Sequence, residues 1–115
     1  MSEDIFGAEL GLTATAESPT TTTVVVSGEL DAATSPQLDE SLEALIDAGV
    51  THLVVDLSDV SFLDSSGLRS IIRALNAIGE RQGTLRVSGV STAVQRILEV
   101  TGMLEELRGP GRREQ

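Results

Sequence analysis

A short, almost continuous apolar stretch between two helical patterns constrains the fold of this chain more than any other feature. The stretch is His52–Leu57, with the sequence HLVVDL, and such runs are typical of interior parallel strands covered on both faces. Apolar residues recur at helical spacing over 35–49 before it and over 65–81 after it. A strand that alternates with helices in this way predicts a layered α/β domain.

The two helical patterns have recognisable starts and stops. Ser35 is expected to cap the first helix, with Pro36 in the first turn, where its missing N–H costs nothing, and Gly49 at the end. The apolar stripe of this helix comprises Leu38, Leu42, Leu45 and Ile46. The second helix is expected from about Ser65 to Arg81, and its stripe comprises Leu68, Ile71, Ile72, Leu75 and Ile78.

Two strand patterns precede the first helix. The segment Thr21–Ser27 (TTTVVVS) is β-branched almost throughout, which predicts a strand. Before it, the alternation of Leu10, Leu12 and Ala14 with polar or small residues predicts a half-buried strand. The turn-forming residues of Glu17–Thr20 make the connection short. We therefore expect these two strands to form an antiparallel hairpin.

The last third of the chain contains one more strand pattern and one more helical pattern. Leu85 and Val87 mark a fourth strand, and the helix that follows is expected to end at Gly102. The apolar residues of that helix are Val94, Ile97 and Leu98. A short final strand or turn is expected at Met103, Leu104 and Leu107.

This order of elements predicts one α/β domain with a mostly parallel sheet, an N-terminal antiparallel hairpin, packed helices and right-handed crossovers. We expect residues 1–7 to be a flexible lead-in, residues 8–107 to form the domain and residues 108–115 to be a disordered, Gly-, Pro- and Arg-rich tail. Binding sites in such sheets lie at the carboxyl ends of the strands. Two expected loops qualify, residues 28–34 and residues 58–66.

The composition of the chain excludes several classes of function. The formal net charge is −10 and aromatic residues make up 2% of the chain, so nucleic acid would be repelled and would find little to stack on. All eight basic residues are arginine, which removes lysine-dependent phosphate and Schiff-base chemistry. Without cysteine, a membrane-spanning run or a signal-like N-terminus, the chain is expected to be cytoplasmic, with no membrane partner.

The motif Asp64-Ser65-Ser66-Gly67 lies where the second of the two loops passes into the expected helix. A serine in that place commonly caps the free N–H groups of the first turn, which is the ordinary structural role for Ser65. The same N–H groups favour a phosphate, so a phosphoserine with a charge of about −1.5 to −2 would be tolerated by the fold. The ordinary roles of the nearby acids are a solvated loop residue for Asp64 and an Asx-turn residue for Asp31.

Two segments and the spacing between them resemble the STAS domain family, in its anti-sigma factor antagonist (anti-anti-sigma) branch. They are GELD at Gly28–Asp31 and DLSDVSFLDSSGL at Asp56–Leu68; the stretch Leu85–Gly102 is similar to the family's third helix region. The resemblance covers about residues 8–107. Because Gly109-Pro110-Gly111 follows, the further helix that is common in the family is expected to be missing or vestigial.

The resemblance implies a partner-switching function without enzymatic activity, cofactor or metal. Such proteins bind a serine kinase that doubles as an anti-sigma factor, and the sigma factor is thereby released. The resemblance further implies that the kinase phosphorylates Ser65, that a PP2C-type phosphatase reverses this, and that the free protein is a monomer. The residues that it implies for the partner-binding surface are Glu29, Leu30, Asp31, Asp64, Ser66 and Gly67.

Other functions remain open beside this one. The chain could be a non-switching STAS subunit of a larger stress-sensing or lipid-transport complex, in which Ser65 is never modified. It could also be a small nucleotide-binding protein or enzyme that uses the same strand-end crevice, although its sequence offers no basic cradle for phosphates. A Ser-His-Asp hydrolase fails on geometry, because His52 begins the strand that Ser65 follows. A receiver-like metal site at Asp56 and Asp59 lacks its companion lysine.

Overall fold

Four strands form a single sheet in the computed structural model, which describes residues 10–102 and Leu107. In spatial order they are β1 (Gly11–Ala16), β2 (Thr21–Leu30), β3 (His52–Leu63) and β4 (Thr84–Val90). β1 pairs with β2 in antiparallel fashion, and the two other pairs, β2 with β3 and β3 with β4, are parallel. The predicted sheet, with its N-terminal hairpin, is confirmed. The expected lead-in and tail lie outside the described residues.

Three helices alternate with the strands as predicted. They are α1 (Ser35–Asp47), α2 (Ser65–Gly79), which ends two residues earlier than expected, and α3 (Thr92–Thr101). α1 packs against α2, α2 packs on β3 and β4, and α3 packs mainly on β3. Within residues 10–102, none of these helices has both the length and the apolar character needed to cross a lipid bilayer.

One face of β3 carries most of its buried surface. Leu53, Val55 and Leu57 are at most 1% exposed, whereas Val54 and Asp56 between them are only partly buried. Successive side chains of a strand point to opposite faces of the sheet, so the two faces are covered unequally. The expectation that this strand is covered on both faces was therefore wrong. The largest fully buried side chains of the core include Leu30, Leu38, Leu42, Leu57, Ile71, Ile78, Leu85 and Leu98.

Both strands that lead to the expected site are longer than the sequence pattern indicated. We expected β2 to end at Ser27 and β3 at Leu57, but they continue to Leu30 and Leu63. Buried residues alternate along β3 as far as Leu57, and the next ones, Val60 and Leu63, follow at intervals of three. Register shifts between β2 and β3 accompany this change. Gly28, with φ +104, lies at one of these shifts, where a side chain would strain the backbone.

The N-terminus of α1 differs from the expected cap. Ser35 is the first helical residue and is buried, and Thr34 occupies the cap position without a side-chain cap bond. The expectation that Ser35 caps α1 was therefore wrong, because the helix begins one residue earlier than that role requires. The hydroxyl of Thr34, at the cap position, makes other hydrogen bonds in the turn before the helix, described below.

The first strand and the last described residue also differ from the sequence pattern. β1 is mostly exposed; Leu12 is partly buried, Ala14 is exposed, and buried Leu10 lies just before the strand. Of the short final strand or turn that was expected, Met103 and Leu104 lie outside the described residues. Leu107 is 1% exposed and its backbone is helical, so it belongs to neither a strand nor a turn.

Candidate functional site

The ends of β2 and β3 bring the two expected loops together. Leu30 and Leu63, the last residues of these strands, are register partners. The backbone N–H of Asp64 donates to the carbonyl oxygen of Leu30 at 3.2 Å. Asp31 follows Leu30 directly, so the turn that begins at Asp31 and the first turn of α2 are neighbours at the carboxyl edge of the sheet.

The carboxylate of Asp31 organises the turn between β2 and α1. Its Oδ1 accepts hydrogen bonds from the backbone N–H groups of Ala33 at 3.0 Å and Thr34 at 3.1 Å. The buried hydroxyl of Thr34 donates to the carbonyl of Glu29 at 2.7 Å and accepts from the N–H of Asp31 at 3.0 Å. Asp31 therefore has the Asx-turn role considered above, and its half-buried carboxylate is held in place at the edge.

Asp64, not Ser65, caps α2. The side chain of Asp64 accepts hydrogen bonds from the N–H groups of Ser66 at 2.8 Å and Gly67 at 3.2 Å, and its backbone is extended. Ser65 is already the first helical residue, so the structural role that we considered for its hydroxyl was wrong. The carboxylate satisfies two of the four N–H groups that every helix start leaves without a partner inside the helix.

The hydroxyl of Ser65 is available at the surface. Ser65 is exposed, whereas Asp64 and Ser66 on either side are partly buried. Among residues 10–102, no hydrogen bond involves the Ser65 side chain. The site therefore presents a hydroxyl that the fold does not use, next to the Asp31 turn.

Gly67 allows α2 to approach the end of β2 closely. A Cβ atom on Gly67 would lie 2.7 Å from Cγ of Leu30, 2.8 Å from the carbonyl oxygen of Leu30 and 2.8 Å from Cδ1 of Leu63. Real Cβ atoms essentially never lie this close to other atoms, so α2 or the strand end would have to shift to admit a side chain. The absence of a side chain at Gly67 thus sets the position of Ser65 relative to the Asp31 turn.

Leu30 and Glu29 occupy different parts of this edge. Leu30 is fully buried, and its side chain supports the edge from inside the core. Glu29 is exposed and is the register partner of Phe62, which is 47% exposed. Phe62 and Val100 are the two exposed large hydrophobic residues in the described part of the chain. Phe62 was not among the expected site residues; its place two residues before Asp64, in a chain with two aromatic residues, is the signal that could have identified it.

The other chemistries considered from the sequence find no support at this edge. His52 starts β3 and its Nδ1 is hydrogen bonded to Oγ1 of Thr84 at 2.9 Å; a strand of 12 residues separates it from Ser65 by about 36 Å. Asp56 accepts hydrogen bonds from the hydroxyl and the N–H of Ser58, and these bonds lower the pKa of its carboxyl. In the described ranges, no cluster of three or more His, Asp or Glu side chains could hold a metal ion.

A separate cavity of about 340 Å³ lies between α1 and α2. Two ion pairs lie along it, Arg73 with Asp39 at 2.7 Å and Arg81 with Asp47 at 3.4 Å. The residues that line it come from the two helices and the end of α2, not from the Asp31 turn or from Asp64 and Ser65. It is therefore not the strand-end crevice that a small nucleotide-binding protein or enzyme was expected to use.

Comparison with known proteins gives consistent matches. The sequence model of the STAS domain family matches residues 13–113. The anti-sigma-B factor antagonist of Staphylococcus aureus is 38% identical over 80 residues, which cover 70% of this chain and 74% of that protein. An anti-sigma factor antagonist from Mycobacterium paratuberculosis, known as a crystal structure, is 28% identical with a TM-score of 0.76, over 86% of this chain and 83% of that one.

A third relative shares the fold at lower sequence identity. The anti-sigma factor antagonist SpoIIAA in its unphosphorylated form has a TM-score of 0.75 at 20% identity, over 83% of this chain and 84% of its own. Its phosphorylated form from Bacillus has a TM-score of 0.70 at 18% identity, over 86% of this chain and 89% of its own. At these identities the comparison shows the fold alone.

Proposed function

The chain belongs to the STAS domain family, and from this premise we propose that it is an anti-sigma factor antagonist that is switched off by phosphorylation of Ser65. Its partner is an anti-sigma factor that is also a serine kinase, and binding of the chain releases the sigma factor. A PP2C-type phosphatase restores the active form. The protein acts by binding its partner in the cytoplasm, is a monomer when free, and is not an enzyme.

The observation that carries this proposal is the exposed Ser65 hydroxyl, which has no partner among residues 10–102. In the proposed reaction, Oγ of Ser65 forms a bond to the γ-phosphorus of ATP held by the kinase, ADP leaves, and the hydroxyl proton passes to a base of the kinase. Because the fold makes no use of this hydroxyl, the phosphate changes the surface without removing a structural contact.

The proposed partner surface surrounds Ser65. Glu29 is exposed and Asp31, Asp64 and Ser66 are partly buried, so each can contribute atoms to a contact. The side chain of Leu30 is buried and Gly67 is buried against it, so we assign these two residues the role of holding the surface in shape. The surface is acidic, which favours a partner with basic groups facing it.

The experiment that tests the proposal is phosphate mapping. The full chain is incubated with its candidate kinase and ATP, and modified residues are located by mass spectrometry. We expect one phosphate, on Ser65, and none on a Ser65→Ala variant. Ser61, which is exposed, and Ser70, which is buried, serve as internal controls. Modification mainly at either of these, with Ser65 untouched, would contradict the site, and no modification at all would favour a non-switching subunit.

Phe62 is proposed as an apolar contact on the same surface. Large aromatic side chains that become buried at an interface often contribute more than 1 kcal/mol to binding. We therefore expect Phe62→Ala to weaken binding of the anti-sigma factor about tenfold. Val100→Ala is the matched control, because Val100 on α3 is 79% exposed and lies outside the proposed surface. Isothermal titration calorimetry measures both; equal affinities for the two variants would remove Phe62 from the interface.

A further inference from the structure

The first turn of α2 leaves a phosphate on Ser65 with few of the N–H partners that a helix start usually offers. The N–H groups of Ser66 and Gly67 already donate to the carboxylate of Asp64. A phosphate one residue further along would have to displace this carboxylate to reach them. It therefore needs another positive partner, or it remains unpaired near Asp31 and Asp64.

Arg69 is placed to be that partner. Ser65 and Arg69 are both exposed and are four residues apart on α2, which puts their Cβ atoms about 5–6 Å apart on the same helix face. Side chains of a helix lean toward its N-terminus, so the guanidinium of Arg69 extends in the direction of Ser65. The acid placed N-terminal to the base at this spacing is also the favourable order.

The charges around Arg69 support this pairing. α2 contains two arginines and no acidic residue, although the whole chain carries a formal charge of −10. Arg73 is paired with Asp39 of α1 at 2.7 Å, whereas Arg69 has no ion pair within residues 10–102. A phosphate on Ser65 would supply the anion that this part of the helix lacks.

We propose that Arg69 is the positioning residue that binds the phosphate of phosphorylated Ser65 and holds it on the outer face of α2. The inference rests on the proposed function, because it assumes that Ser65 is the modified residue. A guanidinium can donate two parallel hydrogen bonds to a phosphate, which fixes the direction of the group as well as its charge. The phosphate is then presented at the partner surface in one orientation.

The test is a pH titration of the phosphate by ³¹P NMR. The full chain is prepared with phosphoserine installed directly at position 65, so no kinase is needed. The acidic groups of this edge and of the elements packed next to it are Glu29 on β2, Asp31 in the turn after it, Asp59 on β3, Asp64 at the cap of α2 and Asp39 on α1. They disfavour the dianion and raise its second pKa, and Arg69 opposes them. We expect Arg69→Gln to raise that pKa by about half a unit, and Arg69→Lys to restore most of the difference.

Arg73→Gln is the matched control, because it removes one positive charge from the same helix two turns from Ser65. The proposal is overturned if Arg69→Gln leaves the pKa unchanged, or if Arg73→Gln shifts it equally, since the effect would then be one of net charge. The outcome is independent of the kinase experiment. If the kinase does not phosphorylate Ser65, the proposed function is wrong. If Arg69→Gln leaves the pKa of the phosphate unchanged, only the role of Arg69 is wrong.

Discussion

A Ser65→Glu variant is expected to bind the anti-sigma factor about a thousandfold more weakly than the unmodified chain, a loss of about 4 kcal/mol. The variant places a permanent negative charge at an exposed position directly after Asp64 and near the Asp31 turn, where the proposed interface is already acidic. An unpaired charge in an interface costs several kcal/mol, because it loses its water and gains no partner. Titration calorimetry with the purified anti-sigma factor measures the change.

Two controls separate this effect from general charge and from the loss of the hydroxyl. Asn76→Glu adds the same charge at an exposed position of α2, about 17 Å along the helix from Ser65. Ser65→Ala removes the hydroxyl and adds no charge. We expect both controls to bind within a few-fold of the unmodified chain. If Asn76→Glu weakened binding as strongly as Ser65→Glu, position 65 would have no special role.

Gly67→Ala is expected to destabilise the domain by about 2–3 kcal/mol, the cost of forcing an extra carbon into a packed interior. The new Cβ would lie 2.8 Å from the carbonyl oxygen of Leu30, which belongs to the backbone of β2 and accepts the N–H of Asp64. α2 must therefore shift away from the strand end. Urea denaturation followed by circular dichroism gives the free energy of unfolding.

Gly79→Ala provides the comparison within the same helix. No atom lies within 4 Å of a Cβ built on Gly79, so this variant is expected to keep or slightly raise the stability, as alanine is the better helix former. Equal stability of the two variants would show that α2 does not depend on the close approach at Gly67. Because the shift also separates Ser65 from the Asp31 turn, Gly67→Ala should reduce partner binding even at temperatures where it is folded.

The types and order of the elements could be predicted from the sequence because they depend on local periodicity. The β-branched run Thr21–Ser27 and the spacing of apolar residues in α2 each have one dominant interpretation. The parallel sheet then follows from the alternation of strands and helices. None of this needs knowledge of which residues touch.

The exact ends of the elements could not be predicted because they depend on contacts between distant residues. β3 continues past Leu57 through register shifts against β2, and a spacing of three between buried residues does not look like a strand. The caps follow the same rule. The hydroxyl of Thr34 is hydrogen bonded to the backbone of Glu29 and Asp31 and does not cap α1. The side chain of Asp64 accepts hydrogen bonds from the N–H groups that Ser65 was expected to cap.

The candidate site was only partly accessible from the sequence. The residues around Ser65 were selected through the resemblance to a family, while the adjacency of Asp31 and Asp64 follows from the register pair Leu30–Leu63, which no local pattern reveals. Phe62 and Arg69 were missed. Their relevance depends on exposure and on the position of Ser65 at the start of α2, and both come from the folded structure.

The capping of α2 by Asp64 has a consequence for how this protein can evolve. Since Asp64 secures the helix start, the side chain at position 65 makes no hydrogen bond within residues 10–102, and we expect its replacement to cost little stability. The fold therefore places few demands on this residue, and we expect threonine, alanine or an acid at position 65 to leave the domain folded while changing the proposed response to its partner. If the proposed switch operates, a single codon change at position 65 would alter it without a compensating change in the core.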